Sequence, residues 1–192
     1  MTSDVATAAG RFPLAPHACF ACGELSEHGL HLDLHVEGET CWTELEMSAA
    51  FQGWEEIVHG GIVATILDEV MAWALASTDA WGVTARMTVE FRRPVRVGTR
   101  VRAEGWLVER RRRLLATAAR LVDAETGTEL ATAEGTYVAA PEARKRELKE
   151  RYGYGRPPSR RDAPGRVDGA GAGEPGAPAA VETGGGTAAR TS

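Results

Sequence analysis

Aromatic residues are scarce, at 6% of a 192-residue chain. Long apolar runs are missing too: the longest is interrupted by Asp68 and Glu69, which excludes an ordinary membrane span. The first ten residues carry neither a basic segment nor an apolar stretch, so no signal peptide is expected and the chain reads as cytoplasmic. Three cysteines (Cys19, Cys22, Cys41) are too few, and odd in number, for a disulfide framework. Residues 157–192 hold no Leu, Ile, Met, Phe, Tyr or Trp, but 8 Gly, 8 Ala and 5 Pro. Such a segment cannot bury enough apolar surface to offset its ordering entropy and is expected to be disordered.

Positive charge is in short supply where the chain can fold. Residues 142–192 carry 10 basic and 7 acidic side chains, leaving 12 basic and 20 acidic for residues 1–141. The formal net charge of −5 is therefore an acidic body with a slightly basic extension. A nucleic-acid module would show the opposite balance. Of those 12 basic residues, 11 lie between Arg86 and Arg120, either a local match for an anion such as phosphate or a set of solvated strand faces.

What is present is periodicity. Residues 31–36 and 41–47 alternate with period two about Glu37-Gly38-Glu39, which predicts an antiparallel hairpin. Over 61–78 the spacing of Ile62, Ile66, Val70 and Trp73 is helical, without Pro or internal Gly, and too apolar for a surface helix. Strands are expected at 83–92, 97–110, 113–123 and 130–140, with 123–127 a turn. One apolar helix and five or six antiparallel strands have an economical solution, an α+β domain whose curved sheet wraps the central helix. The expected organisation is a flexible N-terminus (1–16), one folded domain (17–141), a short surface helix and linker (142–156), and the tail (157–192). Part of the helix would remain uncovered without a second subunit, so a dimer is expected.

Several residues stand out chemically. His59-Gly60-Gly61 opens the helix, where unpaired amides and the positive dipole end favour an anionic oxygen. This is an oxyanion hole in an acyl-transfer site, or else simply a tight glycine loop. Asp68 falls on a small-residue face with Ala64, Thr65, Ala72 and Ala76, as a candidate general base or as a buried contact between helices of a dimer. Glu69, nearer the apolar border, is the poorer candidate. His17-x-Cys19-x-x-Cys22-Gly, with His28 and His31 beyond, has zinc-ligand spacing. A single CxxC lacks the second pair of a ribbon, so buried structural thiols are the preferred reading and no metal or cofactor is assigned. Arg110–Arg113 reads as a turn between strands, solvated or placed for phosphate.

Four motifs together resemble the hotdog-fold acyl-CoA thioesterases, in the PaaI-like branch of the 4-hydroxybenzoyl-CoA thioesterase superfamily. They are Cys19-Phe-Ala-Cys22-Gly23 with Gly29-Leu30, Phe51-Gln52-Gly53-Trp54, Ile57-Val-His59-Gly60-Gly61 running to Asp68-Glu69, and Val89-Glu-Phe91-Arg-Arg93-Pro94-Val-Arg-Val-Gly98. The resemblance covers about residues 17–140. It implies hydrolysis of acyl-CoA thioesters by a homodimer, often paired into tetramers, with active sites at the subunit interface. It makes Asp68 the base or nucleophile and has the Gly61 amide polarise the thioester carbonyl. His59 would shape the helix start, and Thr84 would help hold the attacking water. Substrate contacts would come from Gln52, Gly60, Arg92, Arg93 and Arg112. Relatives often carry Gly-Arg in the 110–113 turn, whereas Arg111 takes the glycine position here. The competing expectation is a non-catalytic acyl-CoA or acyl-carrier-protein binding module, because a fold does not dictate a function. A hotdog dehydratase would want a histidine and an acid placed differently.

Overall fold

The computed structural model describes residues 4–7, 10–13 and 15–152. Along them run β1 (Asp4–Thr7), β2 (Gly10–Pro13), β3 (His35–Glu37), β4 (Thr40–Glu46), a 3-10 turn (Ala49–Phe51), β5 (Gln52–Trp54) and β6 (Ile57–Val58). After these come α1 (Gly60–Ser77), β7 (Gly82–Phe91), β8 (Arg100–Arg111), β9 (Leu114–Asp123), β10 (Glu129–Ala139) and α2 (Glu142–Tyr152).

α1 forms because its 18 residues lack proline and repeat apolar side chains at helical spacing. Its stop is a left-handed residue, Asp79 (φ 58°). The Asp79 and Ala80 amides donate to the carbonyls of Ala76 and Leu75, both at 3.1 Å, which is the bonding of a Schellman cap. Val63, Ile66, Leu67, Val70, Met71, Ala74 and Leu75 are all within 1% of full burial. Each large side chain among them contributes about 1.5–3 kcal/mol by leaving water.

The main sheet has eight strands in the order β2-β1-β3-β4-β8-β9-β10-β7. Six of them, β3, β4 and β7 to β10, touch α1, which requires the sheet to curl around it. Their inward residues alternate along each strand. Val101 and Ala103 of β8, Leu115, Ala119 and Leu121 of β9, and Ala131 and Tyr137 of β10 are buried against the helix. This is the hotdog fold, as expected. The strands β8, β9 and β10 form the antiparallel meander, and β7 closes its far edge.

Locally, one expectation needs correction. The strand expected over 31–36 is short and starts at His35. Leu30 and Leu32 instead donate their amides to Phe20 and Ala21 of the cysteine loop, at 2.8 and 2.9 Å, and His31 takes a left-handed φ of 49°. Residues 52–58, unassigned from sequence, form the β5–β6 hairpin. Near the N-terminus, β1 and β2 pair with each other, and β1 adds in parallel to β3. The tail expected to be disordered lies outside the described residues. α2, largely polar, is tethered by Lys145, whose ammonium lies 2.6 Å from Asp79 Oδ2, and by Lys149 on the same carboxylate. Among the described residues no helix is long and apolar enough to cross a membrane.

The tightest helix-to-sheet approach is at Gly105 of β8, where a Cβ would stand 2.6 Å from the Val70 carbonyl carbon and 2.7 Å from Met71 N. Neither backbone atom can rotate away. Gly105→Ala is therefore expected to destabilise the fold by about 1–3 kcal/mol, the usual cost of overpacking. Urea unfolding of the two proteins measures it, and an unchanged midpoint would refute the close packing.

Candidate active site

The start of α1 is organised by His59. Its Nδ1 accepts the Gly61 amide at 2.9 Å, and its carbonyl accepts Ile62 N at 2.9 Å and Val63 N at 3.4 Å. The ring thereby caps the helix, and accepting at Nδ1 assigns the remaining proton to Nε2. Capping occupies the Gly61 amide, the donor that the family resemblance assigns to the thioester carbonyl. The Gly60 amide, next to it, has no hydrogen-bond partner among the described residues. A Cβ on Gly60 would come only to 3.4 Å from the Phe91 ring, so this face of the turn is open.

Asp68 sits in the middle of α1, half-buried, with a defined setting. Thr84 Oγ1 donates to its Oδ1 at 2.9 Å, and the Tyr137 hydroxyl lies 2.6 Å from the same oxygen. The register explains the meeting: Tyr137 of β10 pairs with Thr84 of β7, just past a bulge at Thr136. Tyr137 is fully buried. Burial, and then the neighbouring carboxylate, push its hydroxyl above the usual range, so it stays protonated and donates. Both donors hold one carboxylate oxygen, and Oδ2 has no partner among the described residues. A carboxylate with one oxygen anchored and one open can accept a proton from water or attack a carbonyl. Tyr137 was not singled out from sequence. Its signal was faint: it is the one tyrosine in β10, on that strand's buried face.

The two parts are separated within the chain. From Gly61 to Asp68 the helix rises about 10 Å. A carbonyl group attacked by one and polarised by the other would need each within about 3 Å. The structure therefore does not bring His59, Gly60 and Gly61 together with Asp68 and Thr84 around one reacting centre in a single chain.

The remaining candidates are dispersed. Gln52 Oε1 accepts the Glu56 amide at 3.0 Å and closes the β5–β6 turn. Arg92 pairs with Glu90 at 2.7 Å, whereas the Arg93 guanidinium is exposed and without a partner among the described residues. Both follow the end of β7 remote from Thr84, about 27 Å along the strand. The 110–113 turn is at the other end: Arg110, Leu115, Tyr137 and Thr84 form one row across four strands, about 14 Å wide. Arg112, rather than Arg111, takes the left-handed position in that turn, with φ 52°.

The cysteine loop lies against α1. Cys19 Sγ, Cys22 Sγ and a Glu69 carboxylate oxygen are all within 4.8 Å of one another. Glu69, judged the poorer carboxylate for catalysis, points away from solvent and accepts Trp73 Nε1 at 2.9 Å. Its burial, and then the Cys19 sulfur, push its carboxyl up to about 7.

Two shallow grooves occur on the outer face of β7 to β10, one lined by Arg86, Val108 and Thr136, the other by Glu90, Arg92 and Arg120. Neither is lined by Asp68, Thr84 or Tyr137.

Fold and site geometry together define a hotdog domain with a half-buried carboxylate on its central helix. Residues 55–130 match the sequence model of the thioesterase superfamily. None of the curated proteins matches it. Among solved structures, a thioesterase superfamily protein is 27% identical over 52% of this chain, with a TM-score of 0.50. That match spans about half, 49%, of the other chain. A hypothetical thioesterase from Streptococcus pneumoniae, solved with coenzyme A, is 16% identical, with TM-score 0.51 over 54% of this chain and 82% of its own. The PaaI protein of E. coli, from the phenylacetic acid degradation operon, is 17% identical, with TM-score 0.52 over 55% and 75%.

The Asp68 bonds can be tested apart from any activity. Tyr137→Phe removes a buried donor to a carboxylate and is expected to cost about 1–2 kcal/mol. Thr84→Val, on the exposed β7, should cost less. Denaturant unfolding of both variants checks the order, and equal stability of wild type and Tyr137→Phe would contradict the bond.

Proposed function

We propose that this protein hydrolyses acyl-CoA thioesters to the free acid and coenzyme A, in the manner of the PaaI-like thioesterases. The observation that carries the reading is the Asp68 carboxylate, anchored at Oδ1 by Thr84 and Tyr137 with Oδ2 open. A binding module needs no such oriented base; a hydrolase does. The S. pneumoniae thioesterase supports it. That protein was also solved as two separate variants, one with alanine replacing an aspartate and one with alanine replacing a threonine, positions 16 apart in its chain. Asp68 and Thr84 have the same separation of 16.

The 10 Å between the helix start and Asp68 supports a site shared by two subunits. A second copy, with its α1 antiparallel to the first, brings its own His59–Gly60–Gly61 turn to the Asp68 of its partner. Either the free Gly60 amide or a Gly61 amide released from His59 then faces the thioester oxygen. Exposed apolar side chains on β7, Val83 at 69% and Phe91 at 57%, offer surface for that second copy. In the reaction Asp68 Oδ2 takes a proton from water as the water adds to the carbonyl, and the thiolate of coenzyme A leaves. Alternatively Oδ2 attacks directly and water cleaves the resulting anhydride. Arg110–Arg113, on the Thr84 side of the sheet, and Arg92 and Arg93 of the partner are the charges placed for the coenzyme A phosphates.

The test is thiol release from a panel of short, long and aromatic acyl-CoAs by wild type and Asp68→Asn. The variant is expected to lose on the order of 10²–10⁴ in kcat with KM little changed. Equal turnover by the variant would refute the role of Asp68. Micromolar acyl-CoA binding by wild type without hydrolysis of any of the panel would establish a binding module instead.

A further inference from the structure

We infer that His17, Cys19, Cys22 and Glu69 bind one zinc ion, which fastens the N-terminal loop to the central helix. The sequence offers His17, Cys19 and Cys22 with no fourth partner singled out; the fold brings them a carboxylate from fifty residues on.

The spacing of the donor atoms fits the metal. Zinc bonds of about 2.0–2.3 Å in tetrahedral array place a sulfur and a neighbouring nitrogen or oxygen donor about 3.6 Å apart. His17 Nε2 lies 3.4 Å from Cys22 Sγ, and Cys19 Sγ lies 4.0 Å from Glu69 Oε1. These two edges bracket the expected value. The imidazole is also oriented toward the sulfurs, because Nδ1 lies 3.1 Å from the Ala15 carbonyl, which fixes the ring and leaves Nε2 as the free lone pair.

The loop is built around the two sulfurs. Gly23 N donates to the Cys19 carbonyl at 2.9 Å, and a Cβ on Gly23 would stand 2.3 Å from Cys19 N. Only glycine permits that turn. Backbone amides of Ala21 and Cys22 point at the Cys19 sulfur.

Charge balance gives the reason for a cation. Three acidic groups converge in a buried space, and among the described residues no lysine or arginine faces them; His17 is the one basic group nearby. A dication binds the two sulfurs and the Glu69 carboxylate in their deprotonated forms, releasing whatever protons they hold and offsetting the charge that would otherwise repel. Cys19, Cys22 and Glu69 already converge within 4.8 Å, and His17, 3.4 Å from Cys22 but outside that trio, would complete a closed, structural sphere as the fourth donor. The inference is independent of the thioesterase reading: the ion would be present whether or not Asp68 is catalytic.

The full chain, purified without chelator, is expected to contain one zinc per chain by elemental analysis. Replacement of the metal by cobalt should produce thiolate charge-transfer absorption and the visible bands of a tetrahedral ion. Cys19→Ser and Glu69→Gln should weaken zinc binding at least tenfold in competition with a chromophoric chelator. His28→Gln, an exposed histidine of the same loop outside the cluster, should leave it unchanged. Wild-type apoprotein that takes up no stoichiometric zinc would overturn the proposal. So would cobalt spectra without thiolate bands, or a Cys19–Cys22 disulfide in the freshly purified chain.

Discussion

The near-contact of α1 with β8, where Gly105 leaves no space for a side chain beside Val70 and Met71, sets the depth at which the helix lies in the curled sheet. Every other arrangement of consequence follows from that depth. It lets the side chains of β9 and β10 reach the helix from the same side. It also brings Tyr137 within 2.6 Å of the Asp68 carboxylate. A helix displaced outward by one methyl group would lengthen a hydrogen bond whose strength falls steeply with distance. The same helix presents Glu69 to the cysteine loop one residue further on, about 100° around its axis from Asp68.

Adjacent carboxylates on one helix thus have different surroundings. Asp68 meets two hydroxyl donors and keeps an open oxygen, which is a setting for chemistry. Glu69 meets two thiols and an indole and is drawn away from solvent, which is a setting for a buried, closed cluster. Environment rather than residue type separates their roles. The helix end adds a further constraint: its capping by His59 and its distance from Asp68 make one chain incomplete as a thioesterase site.

The order of the main elements was legible from periodicity, because alternation at period two and recurrence at 3.6 residues report directly which face of a segment avoids water. α1 and β7 to β10 fall within a few residues of where those patterns place them. The loop at 19–34 was less readable. Leu32 and Leu34 alternate as in a strand, yet Leu32 is bonded to the cysteine loop, a non-local partner that no local pattern encodes. The hairpin at 52–58 is too short to establish a period.

Asp68, His59 and Gly60–Gly61 could be picked out from sequence because a carboxylate on an apolar helix and paired glycines at its start are each locally unusual. Thr84 followed from family resemblance alone. Which carboxylate oxygen is anchored, that Tyr137 anchors it, and that Glu69 converges with His17, Cys19 and Cys22 were decided by tertiary structure. These contacts join residues 16 to 69 positions apart through sheet register and helix rotation, and a linear pattern holds no information on either until the sheet has closed on the helix.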